Sequence, residues 1–338
     1  MYWPDRAGEP TVRLVAGGDV MLGRGVGQAI LRHGAHYPLA PVAGLMRGAD
    51  LALVNLECAL TASGTRWQGA PKAFYFGAPP SAIETLANAG VDLVSLANNH
   101  VLDFDVAGLR DTLRALRAHG IHAAGAGSNR AAARAAAVLD CGPLRFGMAV
   151  FCDHQADFAA QPERAGIAWI DLDDEPKALA LLRAALAALR RRAVDWPILS
   201  LHWGPNMVAR PSPRFRRLAY AAVEMGWKMV FGHSSHVFHG IDIADGCPIL
   251  YAAGDLVDDY QVDPVFRNDH QLLFELEVTR DRLRRITLHP VLIADCQARF
   301  ATGAHFRSIA ARMSAMCAEF GTQVHQDAGT IWIEGTGG

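Results

Sequence analysis

The sequence predicts an α/β fold built on a largely parallel sheet, and three observations predict it. Apolar runs of strand length alternate with amphipathic segments of helix length through most of the 338 residues, the βαβα order that sets parallel strands side by side. Six of those runs end in clusters of polar, ligand-type residues, as strands do where they enter loops at a sheet edge. The last third switches to two-residue alternation on both arms of a hairpin, so antiparallel strands join the parallel core and leave room for a second sheet.

The elements follow in order. TVRLVAGGD ends at Asp19 and leads into MLGRGVG, read as a glycine-rich loop. Helical segments are expected from near Pro38, Pro79, Asp105 and Asn129. In DVAGLRDTLRALRAHG, Val106, Leu109, Leu113 and Leu116 mark one face at helical spacing and Gly120 supplies the stop. EPKALALLRAALAALRRR carries Pro176 in its first turn, and its closing arginines complement the helix dipole. SPRFRRLAYAAVEMG has Ser212 as N-cap and Gly226 as C-terminal stop. HQLLFELEVTRDRLRRITLHPVLI reads as the hairpin, with Asp281 in its turn. HFRSIAARMSAMCAEFG then gives a helix and GTIWIE a short strand.

The chain is 51% hydrophobic and 20% charged with a net charge of -2. Nothing in that balance attracts nucleic acid or an anionic membrane. The six cysteines lie far apart with no CxxC pair, which excludes a zinc ribbon and suits reduced thiols in a cytoplasmic protein. No run of about 18 apolar residues predicts a membrane span, and MYWPDRAGEP lacks the features of a secretory leader. The expected partner is a peptide or small-molecule substrate.

The chemistry sits at the ends of the six runs. Asp19 offers a hard oxygen ligand, and the loop behind it, with Arg24, could cradle an anionic group. Asn55 and Glu57, two apart, project to one face of a strand. In LANNH, Asn99 offers a carbonyl oxygen and His100 an acid–base imidazole, oriented by Asp103 or Asp105. His202 follows another strand, with Trp203 beside it as core or pocket wall. His233, His236 and His239 are spaced by three in GHSSHVFHG, a transition-metal signal strongest for the first two. Asp255, Asp258 and Asp259 close the series, one of them suited to fixing a histidine tautomer. Together these residues predict one metal-centred site assembled from distant segments.

GGDVMLGRGV, NLECALT, LANNHVLDF, LHWG, GHSSHVFHGID and ILYAAGDLVDDY, in this order, resemble the CapA family, named for bacterial poly-γ-glutamate capsule synthesis, within the calcineurin-like metallophosphoesterase superfamily. The resemblance runs from about residue 11 to about residue 290. It implies an N-terminal extension over 1–10, a metallo-domain over 11–290 and a C-terminal helix–strand extension over 291–338. It also implies an αββα sandwich of two mixed sheets, with metal ligands at Asp19, Glu57, Asn99, His202, His233 and His236. His100 stands at the superfamily's acid or transition-state-stabilising histidine; from their own positions beside the histidines, Asp103 and Asp255 are expected as further catalytic residues. Substrate contacts are expected at Arg24, Asn55, Trp203, His239 and Asp258.

The sequence departs from the superfamily pattern at three places. Met21 stands where a histidine ligand is usual, Glu57 where the bridging carboxylate is usually Asp, and Val101 follows His100. The ligands suit one or two divalent ions, with Mn, Ca, Zn or Fe as candidates. The expected activity is metal-dependent hydrolysis or transfer on a γ-glutamyl, peptide or phosphoryl substrate. The alternative is peptide epimerisation, as in proteins resembling this subfamily that act on lasso-peptide precursors, with His/Asp pairs on opposite faces of one Cα.

Overall fold

Strand pleating decides which core each side chain joins. The computed structural model describes residues 9–327 and 329–335. In the strand Trp196–His202, Ile198 points into a core shared between two sheets. Leu199 and Leu201 point the other way, onto Leu182, Leu186, Ala219 and Ala222 of the helices Glu175–Arg191 and Pro213–Met225. Sheets inside and helices outside make an αββα sandwich.

The larger sheet has ten strands. Val12–Val20, Leu51–Leu56, Leu93–Ser95 and His122–Ala124 run parallel, as the alternating helices require. The hairpin His270–Val278 and Leu283–Ala294 joins Val12–Val20 antiparallel. The second sheet has six strands, ordered Ile241–Ala244, Cys247–Leu250, Met229–His233, Trp196–His202, Leu144–Cys152 and Ala137–Cys141. Its four inner strands are parallel and both edges antiparallel. The two mixed sheets that the resemblance implies are both present, because each group of strands needs its own helical cover and the two bare faces cover each other.

The helix ends follow the expected capping chemistry. Asp174 accepts the Lys177 N–H at 3.2 Å and Ser212 the Phe215 N–H at 3.3 Å. Two local expectations fail. MLGRGVG is not a loop: a helix, Arg24–His33, begins inside it. The helix expected near Pro38 begins five residues later, as Ala43–Arg47, after a run of turns. Both segments lack a strong capping side chain, so packing against the sheet sets their ends.

Of the expected extension over residues 1–10, all but Glu9 and Pro10 lies outside the described residues. Residue 290 falls inside the strand Leu283–Ala294, and the chain beyond it returns to the larger sheet through Gln297–Phe300 and Thr330–Glu334. The six cysteines are unpaired, five of them buried. Among the described residues no helix is long and apolar enough to cross a membrane.

Candidate metal centre

The carboxyl ends of the parallel strands of both sheets meet at one place. From the larger sheet, Asp19 lies in register with Asn55 on one side and Asp255 on the other. From the second sheet, His202 lies in register with His233. The close approach at Asp19 depends on Gly18, where a Cβ would collide with the Gly254 carbonyl. Asp255 does not end a strand, as the sequence suggested; it begins the short strand Asp255–Val257, laid parallel to the end of Val12–Val20. The loop after His233 holds Ser234 at φ 101° and His236 at φ 60°, left-handed conformations that strain non-glycine residues.

Two donor groups result, and Asp19 belongs to both. Asp19, His202 and His233 form one, and Asp19, Glu57, His236 and Asp255 the other, with the ligand atoms of each group within 4.8 Å of one another. His202 and His233 turn their Nδ1 atoms to each other at 2.8 Å. Asn99 Oδ1 lies 3.0 Å from His202 Nε2. Asp255 Oδ1 is 3.0 Å from His236 Nδ1. Met21, in the place of a customary histidine, is buried among apolar residues, and the second group holds the Asp255 carboxylate.

His100 stands beside this cluster. Its Nδ1 is 2.5 Å from Asp103 Oδ2 and its Nε2 is 4.0 Å from Glu57 Oε1. Of the two carboxylates offered as its partner, Asp103 is the one the structure uses. Asp105 instead accepts the N–H of Val106. The sequence reading missed several neighbours. Lys72 reaches in from an irregular segment to bond the Asp103 carboxylate and the Asn99 carbonyl. Phe76 stacks on His100 with ring centroids 3.8 Å apart. Tyr260 lies edge-on to His236 at 5.0 Å, its buried hydroxyl unpartnered. His154 donates to or accepts from Ser234 Oγ at 2.9 Å and lies 5.5 Å from the His202 ring. Lys72 and Phe76 come from an irregular stretch, whereas His154 follows the apolar strand Leu144–Cys152 and Tyr260 closes ILYAAGDLVDDY, so for these two the strand-end pattern was the available signal.

The residues expected to touch substrate divide. Arg24 lies at the rim, its guanidinium 3.3 Å from Asp259 and over the rings of Phe74, Phe76 and Tyr260. Asn55 is committed elsewhere: its amide N–H donates to Asp19 Oδ1 at 2.8 Å and its carbonyl accepts from Asn98 at 3.2 Å, so it positions Asp19. Asp258 sits behind Asp255, and its Oδ1 accepts the Tyr260 N–H. Trp203 packs on Phe215 and donates to the Tyr251 carbonyl. His239 bonds the Val208 carbonyl. Trp203 and His239 therefore line a separate cavity; the spacing in GHSSHVFHG brings His233 and His236, but not His239, to the donor groups.

Burial governs the electrostatics. It pushes Asp19 up to about 7, helped by the Asp255 charge, and Asp255 likewise to about 7. Glu57 is driven well above the carboxylate range by burial and by Asp19 and Asp255. Asp258 is raised well above the usual carboxylate range by burial and by Asp255. The same burial pushes imidazoles down, His100 to about 4 and His233 to about 3, with His202 well below its usual value and His236 lowered. Both Glu57 oxygens are buried without a hydrogen-bond partner. A carboxylate so placed is costly unless a cation joins it. The residues fit a bound divalent ion: carboxylate oxygens and imidazole nitrogens converge, and outer partners orient them, Asn55 and Ser234 on Asp19 and Ser200 on His233.

The chain is 31% identical over 310 residues to a protein of Mycobacterium tuberculosis named probable polyglutamine synthesis accessory protein, covering 79% of this chain and 81% of that one. It is 28% identical over 244 residues to the capsule biosynthesis protein CapA of Bacillus anthracis, covering 72% of this chain and 58% of that protein. Among solved structures, a hypothetical protein from Thermus thermophilus superposes with a TM-score of 0.49 and 16% identity, over 83% of this chain and 100% of that one. Residues 13–260, which hold every member of the two donor groups, match the family described as bacterial capsule synthesis protein PGA_cap, and the chain belongs to that family.

Proposed function

We propose that the protein is a divalent-metal-dependent hydrolase or transferase acting at an acyl or phosphoryl centre, with γ-glutamyl peptides first among its substrates. One observation carries the reading: Asp19 is common to two adjacent donor groups, and Glu57, beside it, has both oxygens buried and unsatisfied. The names of the relatives, with their capsule and polyglutamine synthesis, support the γ-glutamyl class. Asp19, Glu57, Asn99, His202, His233, His236 and Asp255 hold the metal in this proposal. Their mixture of oxygen and nitrogen favours Mn, Fe or Zn over Ca, which takes oxygen ligands.

The bound cation supplies Lewis-acid polarisation of the substrate oxygen and neutralises developing charge. The chain's own residues do the rest. Asp103 accepts the His100 Nδ1–H, which fixes the tautomer and leaves Nε2 facing the donor cluster. Lys72 holds Asp103 in place, and Phe76 holds the ring plane. His100, neutral in the metal-free protein, takes up a proton at Nε2 from the attacking group and returns it to the leaving group. Asp103 steadies the imidazolium in between. Arg24, at the rim, receives an anionic part of the substrate. The free thiols support a cytoplasmic setting.

The test starts with metal analysis of protein purified without added metal. Bis(p-nitrophenyl) phosphate, a γ-glutamyl peptide and a linear peptide are then incubated with it in deuterated water. New amine from the γ-glutamyl peptide is expected. Released nitrophenol alone moves the assignment to phosphoryl esters. Deuterium entering a Cα without cleavage replaces hydrolysis by epimerisation.

A further inference from the structure

Two side chains at the mouth of the metal centre sit where the fold gains little from them. Phe74 is 60% exposed, so most of its ring stays in water. Arg24 opens the helix Arg24–His33, at the end where the helix dipole disfavours a cation. The two stand together, with the guanidinium carbon 5.5 Å from the centre of the Phe74 ring.

Anchored neighbours aim Phe74. Lys72, two residues before it, bonds the Asp103 carboxylate and the Asn99 carbonyl. Two residues after it, the Phe76 N–H donates to Asp103 Oδ2 at 2.7 Å. The exposed ring is therefore not the tip of a free loop. It stacks on Phe76 with centroids 6.4 Å apart, and Phe76 stacks on His100 at 3.8 Å. Phe74 thus lies within about 10 Å of the His100 ring, a reach of about three extended residues.

Arg24 has donors to spare. Its Nε lies 3.3 Å from Asp259 Oδ2, its side chain is 38% exposed, and its guanidinium donates no hydrogen bond to any described residue. Open N–H groups beside an open ring face match an anionic group carried on an apolar stem.

We infer that Phe74 and Arg24 form a subsite for the residue next to the reacting bond of the substrate, with its carboxylate on Arg24 and its apolar stem across Phe74. The inference rests on the reading of the substrate as a γ-glutamyl peptide, and it makes the occupant a second γ-linked glutamyl unit. Such a unit carries both features: its α-carboxylate branches from the chain beside two methylenes. The protein therefore prefers γ-linked oligomers to a single γ-glutamyl amide.

Ligand-observed NMR on the full-length protein as purified tests this, because the same spectra read binding and any cleavage. The probes are γ-linked triglutamate and the same trimer with its α-carboxylates converted to carboxamides. Triglutamate is expected to bind roughly tenfold more tightly, the ratio one charge-assisted hydrogen bond gives. Arg24→Gln should remove that preference. Phe74→Ala should weaken both trimers, roughly fivefold, and leave their ratio unchanged. Binding that neither variant alters overturns the subsite and leaves the γ-glutamyl reading standing. No binding of triglutamate by the wild type overturns both. If γ-glutamylphenylalanine binds more tightly than triglutamate and Phe74→Ala erases the difference, the glutamyl occupant is overturned in favour of an aromatic one. Phe74 is mostly exposed, so Phe74→Ala decides alone if Arg24→Gln does not fold.

Discussion

The two sheets give the centre opposite chemistries. The larger sheet and its flanking strand supply carboxylates, Asp19, Glu57 and Asp255; the second supplies imidazoles, His202 and His233. Burial acts on both in opposite directions, raising the carboxyls and lowering the histidines, so without a cation each side is pushed toward its neutral form. A divalent ion reverses the first tendency and exploits the second, since it favours ionised carboxylates and neutral imidazoles. Asp19 is the hinge of the comparison, because it alone serves both groups.

The largest effect is therefore expected from Asp19→Ala. Loss of outer-shell partners alone lowers metal affinity about 10–100-fold, so loss of the shared ligand should exceed that and leave both groups empty by elemental analysis, with turnover gone. A variant that still holds one full equivalent of metal would mean that the groups are independent.

His100→Gln should reduce turnover by roughly 10²–10⁴ with metal content unchanged. Metal loss in this variant would make His100 a ligand and not the proton carrier.

His202→Ala should spare an ion in the oxygen-rich group, whereas Asp255→Asn should spare one in the nitrogen-rich group. Equilibrium dialysis with Mn and Zn reads this directly. Identical losses from both variants would merge the two groups into a single-ion centre.

The smallest effect is on pH. In metal-free protein Asp19 and Asp255 titrate at about 7, above the 3.8 of an unfolded aspartate. Through these two groups the folded chain keeps protons that the unfolded chain releases, which lowers metal-free stability as pH rises from about 4 through 7, while the buried histidines lowered from 6.5, His100 and His233 among them, act in the opposite sense up to about 6.5, so a net fall is expected above about 6.5. Metal uptake should strengthen over the upper part of the same range, with proton release. Calorimetry of metal-free and loaded protein between about pH 6.5 and 8.5, above the range where the histidines act, checks the sign; a melting temperature of the metal-free form that climbs across that window contradicts the assigned carboxyl shifts.

Much of the donor constellation was legible because ligand-type residues at strand ends are a local pattern. Asp19, Glu57, Asn99, His202, His233 and His236 each close or follow an apolar run, and parallel strands bring such ends to one edge. Roles set by a side chain's partner were not legible. Asn55 looked free to meet a substrate until its amide proved spent on Asp19 and Asn98, and His239 shared the spacing of His233 and His236 yet turned to Val208. Lys72 and Phe76 come from irregular segments with no periodicity to place them.

By itself the sequence determined the alternation of strands and helices, the cap at Ser212, the hairpin around Asp281 and the residue types of the centre, all of which depend on neighbours a few positions away. Tertiary structure alone decided which strands each sheet takes, the service of Asp19 in both donor groups, the entry of Asp255 from a strand's beginning and the reach of Lys72 to Asp103. The reason is physical. Those features arise from contacts between segments tens to hundreds of residues apart, where burial and register fix each partner and no local spacing records them.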